Sequence, residues 1–138
     1  MGQPSTIYKS SKLNYVWNYL SLTLDNFKAK LLGYRSYTAL LIQTGIDAPV
    51  AIVLENTLGA TITWTYNGVG EYYGELSSGT FNPVRTFTTS NSSFYSSPYY
   101  SFLTILSGDS TKVILGTFDS SNATELNGEI CIEIRIYK

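Results

Sequence analysis

Carboxylates are the side chains of this 138-residue chain whose spacing comes nearest to acid–base chemistry. Glu71 and Glu75 stand four residues apart in a segment that reads as one strand, so they share a face. Glycoside hydrolysis needs a pair of carboxylates, set on either side of a cleft. Nothing in the sequence builds a cleft around these two, and a solvated strand face accounts for them. Glu129 and Glu133 repeat the spacing beside Arg135, which reads as a surface ion pair. Asp109, Asp119 and Glu125 are the candidates for calcium, but the spacing of a helix–loop–helix calcium site is absent and turn-forming acids explain them. The chain has no His, which removes Ser-His-Asp and Cys-His catalysis and ordinary His metal sites. Cys131, the one cysteine, sits in a strand with no base to activate it and is expected as a small half-buried side chain. The expectation is a protein without an assembled active site: not an enzyme, with no cofactor and no metal.

Aromatic side chains are the better functional candidates. Phe94, Tyr95, Tyr99 and Tyr100 crowd a Ser-rich, uncharged stretch, Asn91 to Tyr100, that reads as a loop. Aromatic faces stack on sugars and anchor protein interfaces, so these four are candidate contacts for a partner or a host-surface glycan. The competing reading is that two of them plug the end of the sandwich. Asn91-Ser-Ser and Asn122-Ala-Thr match the N-glycosylation pattern, which is common by chance.

The composition sets the frame for these residues. Charged residues are only 14% of the chain and hydrophobic ones 43%, with twelve Tyr. A typical charged share is about 25%, so Ser, Thr, Asn and Tyr must cover the surface. Net charge is −1, and no Lys/Arg cluster is present. Nucleic-acid binding through phosphate neutralisation is therefore not expected. No signal peptide and no membrane-spanning run are read in the sequence.

Two regions must position the candidates. In residues 1–33, Leu13, Trp17, Leu20, Leu24, Phe27 and Leu31 are spaced 4, 3, 4, 3, 4, the a/d seam of a coiled coil. Gly33 stands where such a helix would stop. Against this, Tyr19 to Asp25 alternates strictly, which favours a strand. Helix or extended arm stays open, and either way the segment is a candidate for anchoring or self-association. Residues 34–138 read as all-β. Candidate strands are Tyr37–Thr44, Val50–Asn56, Thr61–Tyr66, Gly70–Leu76, Val84–Thr89, Ser101–Leu106, Lys112–Phe118 and Glu129–Tyr137, separated by Gly-, Pro-, Asn- and Ser-rich turns. Asn67-Gly68 marks a hairpin. In the last strand Ile130, Ile132, Ile134 and Ile136 alternate with polar residues, which predicts a half-buried strand that closes a sheet. The fold class is mainly β: a single antiparallel β-sandwich, jelly-roll-like, of about eight strands, preceded by a short N-terminal helix or arm.

Three stretches carry a resemblance. They are Tyr37-Thr-Ala-Leu-Leu-Ile-Gln-Thr-Gly45 with Asp47-Ala-Pro-Val-Ala-Ile-Val-Leu-Glu-Asn-Thr-Leu-Gly59, then Trp64 with Gly68-Val-Gly-Glu-Tyr72, and the closing Ile132-Glu-Ile-Arg-Ile-Tyr137. Together they resemble a small β-module of structural proteins of tailed bacteriophages and prophages, often at the C-terminal end. The resemblance covers about Tyr34 to Lys138 and brings no catalytic residues. It implies a virion protein made in the host cytoplasm: a head fibre, a capsid-decoration protein or a tail-associated adhesin. Such proteins are commonly trimers, and their partners would be capsid or tail proteins.

Overall fold

The computed structural model describes residues 6–92, 99–120 and 122–138. Contacts divide the chain into two compact units, Met1–Gly33 and Tyr34–Lys138. The first is a helix, α1 (Thr6–Leu32). The seven-residue alternation from Tyr19 to Asp25 loses to the longer 4-3 spacing, in a segment with no Gly or Pro between Thr6 and Leu32. Thr23, a strand former, donates its Oγ1 hydrogen to the Tyr19 carbonyl at 2.7 Å, a bond available only on a helix. Gly33, at φ +76°, ends α1 in the left-handed conformation that favours glycine.

The second unit holds nine strands: β1 (Tyr34–Gln43), β2 (Val50–Asn56), β3 (Ile62–Gly68), β4 (Glu71–Leu76), β5 (Thr86–Ser92), β6 (Tyr99–Ile105), β7 (Lys112–Asp119), β8 (Asn122–Ala123) and β9 (Gly128–Tyr137). They form two antiparallel sheets in a sandwich-like arrangement. One has the order β2-β1-β9-β5, the other β3-β4-β7-β6 with β8 paired to β7. The inner faces follow from period-two patterning. Tyr37, Ala39 and Leu41 on β1 and Ile130, Ile132 and Ile134 on β9 meet Trp64, Tyr72, Leu103, Val113 and Leu115 of the facing sheet in one buried cluster. Leu58, Phe81 and Leu126 from the loops join it. Trp64 Nε1 donates across the sandwich to Tyr37 Oη at 3.4 Å.

Several expected elements differ. The C-terminal strand β9 does not close its sheet; it lies between β1 and β5, with Tyr34 opposite Tyr137 and Gln43 opposite Gly128. The β3–β4 hairpin is present, but Gly68 pairs with Glu71, so Val69 and Gly70 make the turn and Asn67 stays in the strand. The segment read as a loop from Asn91 to Tyr100 contributes Asn91 and Ser92 to β5 and Tyr99 and Tyr100 to β6. The turn cluster from Asp119 to Gly128 contains β8.

Candidate functional site

The heptad side chains come to the surface of α1 together. Leu13, Trp17, Leu20, Leu24, Phe27 and Leu31 are all exposed, from 46% for Leu20 to 76% for Leu31. Tyr15 and Leu22, on the opposite side of the helix, are exposed as well. No helix among the described residues is long and apolar enough to cross a membrane.

Of the four candidate aromatics, Phe94 and Tyr95 lie outside the described residues. Tyr99 begins β6, and Tyr100 follows it with its side chain exposed. The structure adds two aromatics to Tyr100. Phe102 and Phe118 stack with centroids 5.6 Å apart and planes at 24°. Phe102 pairs with Gly116, and Tyr100 with Phe118. A Cβ on Gly116 would stand 2.3 Å from the Phe102 ring, so only glycine lets this ring lie flat on the sheet. The sequence does contain Phe102 and Phe118, but their pairing is long-range and gives no local signal.

The acidic candidates are occupied by structural contacts. Glu71 Oε1 accepts hydrogen bonds from Asn67 Nδ2 at 2.5 Å and Tyr73 Oη at 2.7 Å. Glu75 lies 3.8 Å from Lys112 Nζ. The grooves at Leu58, Thr86 and Thr61 include neither glutamate in their lining. Glu133 takes Arg135 Nε at 2.7 Å, while Glu129 is exposed. Arg135 also lies over the rings of Tyr34 and Phe87, at 5.1 and 5.8 Å. Asp109 Oδ1 accepts from the backbone N and hydroxyl of Thr111, and Oδ2 pairs with Lys112 Nζ at 3.0 Å. Those donors hold the Asp109 carboxyl down at about 2. Glu125 accepts from Tyr66 Oη at 2.7 Å and Tyr72 Oη at 3.0 Å. Asp119 accepts a hydroxyl from Ser120 at 3.3 Å. No group of three or more His, Cys, Asp or Glu converges among the described residues. Cys131 is exposed rather than half-buried, because β9 turns its odd-numbered side chains outward.

One exposed surface went unread in the sequence. The β2 side chains Val50, Ile52, Val53 and Leu54 are exposed at the edge of their sheet. The signal was there: Val50-Ala-Ile-Val-Leu54 is a continuous apolar run, a pattern that asks for cover on both faces. No protein-family model, curated protein or solved structure matches this chain.

Proposed function

We propose that this chain is a non-enzymatic structural protein of a bacteriophage virion, of the head-fibre or capsid-decoration type. It trimerises through α1 and presents the β-sandwich as its head. The observation that carries the assembly half of this reading is the run of six exposed apolar side chains at heptad spacing on α1. Burying each releases roughly 1.5–3 kcal/mol. Together they are able to offset the ~4–15 kcal/mol that association costs. The exposed Tyr15 and Leu22 on the far side leave a second apolar strip, suited to a capsid or tail protein. The virion half rests on the resemblance of the Tyr34–Lys138 stretch to phage β-modules.

Absolute mass by light scattering on the full chain tests the seam. Wild type is expected as a trimer, and the double variant Leu20→Lys, Leu24→Lys as a folded monomer. A trimer that survives both lysines would remove the seam. Mass spectrometry of purified particles from the producing host tests the virion placement, and particles lacking the chain would overturn it.

A further inference from the structure

The edges of β5 and β6 face each other without pairing their backbones, and side chains bridge them at regular intervals. Ser90 Oγ and Ser101 Oγ lie 2.9 Å apart, and Thr88 Oγ1 donates to the Leu103 carbonyl at 2.6 Å. Continuing the register, Thr86 should reach Ile105. It does not: Thr86 Oγ1 is buried and has no hydrogen-bond partner. At this point the seam opens into a groove of about 490 Å³, lined by Thr86, Thr88, Thr104, Ser107, Asp109 and Ser110 together with apolar Ile105 and Leu106. That volume is in the range of small-molecule sites, about 300–1,000 Å³. The Thr86 hydroxyl has almost no accessible surface, so it marks where the side-chain bridging of the seam ends and is not itself a ligand contact.

The lining defines the ligand chemistry. Its one carboxylate, Asp109, is already matched by Lys112, so the groove offers no net charge to an anion or a cation. Hydroxyls beside short apolar surfaces match a neutral pyranose, whose ring carries hydroxyl edges and C–H faces. Thr104 is exposed on the outer side of β6, and two and four residues before it on the same side stand Phe102 and Tyr100, both exposed. Steps of two residues along a strand are about 6.6 Å.

We propose that the open end of the β5–β6 seam is a glycan-binding site. A neutral sugar residue sits in the groove against the exposed Thr104, Ser107 and Ser110, and the next residue of the glycan stacks on Phe102 and Tyr100. The site is built from residues of the Tyr34–Lys138 unit and goes beyond a purely structural role for the head.

The test is an amide NMR titration of the full chain with cellotriose, maltotriose and chitotriose in turn. At least one is expected to shift the Thr104, Ser107 and Ser110 amides and those of Tyr100 and Phe102 in one saturable transition. Thr104→Val, which keeps the shape and removes an exposed hydroxyl of the groove, should weaken binding roughly fivefold, the worth of one hydrogen bond, without lowering the melting temperature. Tyr100→Ala should also weaken it, with Phe102→Ala as a second platform variant. The proposal is overturned if none of the three sugars shifts these amides, if the shifts lie elsewhere, or if Thr104→Val binds as well as wild type.

Discussion

Tyr72 is fully buried, yet its hydroxyl is fully engaged. It accepts the Leu126 amide at 2.8 Å, donates to Glu125 at 3.0 Å and lies 3.3 Å from Gln43 Oε1. Gln43 Oε1 in turn accepts the Asn127 amide at 3.1 Å, and Asn127 Oδ1 accepts the Gly45 amide at 2.8 Å. One phenol thus fastens the 124–127 loop to both sheets. Tyr72→Phe keeps the ring and strands the buried Leu126 N–H, so a loss of about 1–3 kcal/mol is expected in urea unfolding. Unchanged stability would show that water or another acceptor replaces the hydroxyl. Burial, with Glu125 beside it, pushes the Tyr72 phenol up to about 12 from 10.0, while the Leu126 donor opposes the shift. The folded state therefore favours the neutral phenol. That stabilisation is fully present below pH 10 and is lost as pH rises through about 12. Tyr37 shifts the same way, chiefly by burial, so both should titrate late in a tyrosinate absorbance scan, together with loss of β circular dichroism. Tyr72→Phe should lose less additional stability over this alkaline range than wild type does.

At the scale of elements, the β3–β4 hairpin shows how far local pattern reaches. Alternation in Trp64–Tyr66 and the glycines announced a hairpin, but Asn67-Gly68 named the wrong turn by two residues. The deciding constraint is tertiary. Gly70 holds φ +68°, and a Cβ there would stand 2.5 Å from the Thr117 carbonyl oxygen and 2.8 Å from the Thr124 backbone N and O. Gly70 O meanwhile accepts the Thr117 amide at 2.9 Å. Gly70→Ala meets both backbone strain and a backbone clash, so a loss of about 3 kcal/mol or more is expected by chemical denaturation. Gly68→Ala, with open space and ordinary φ, serves as the mild control. Strands with strict alternation, such as β9, were legible because burial of one face fixes the pattern. The Ser/Pro-rich stretch before Tyr99 hid the start of β6, since composition there outweighs two aromatic residues. The Phe102 platform and the unpartnered Thr86 were not legible at all. One depends on a glycine across a long-range pair, the other on where two sheet edges part.

At the scale of the whole molecule, the buried cluster runs from Tyr37 to Ile134, with Ile136 packed against it, all within the Tyr34–Lys138 unit. The described part of the helix exposes its apolar residues. The two units therefore have different sources of stability: the sandwich from its own interior, the helix from whatever covers it. Most helical stability in proteins comes from packing of an apolar face rather than from propensity. A chain beginning at Tyr34 should keep the same β circular dichroism and melting temperature as the full chain, but lose its helical signal. In the full chain, that helical signal should depend on concentration, because the packing that stabilises it comes from other copies. Light scattering on both forms separates the possibilities. A trimer that becomes a monomer on truncation assigns assembly to α1. A truncated form that remains trimeric would move self-association into the sandwich, and the exposed β2 edge with Val50, Ile52 and Leu54 would then be the surface to mutate.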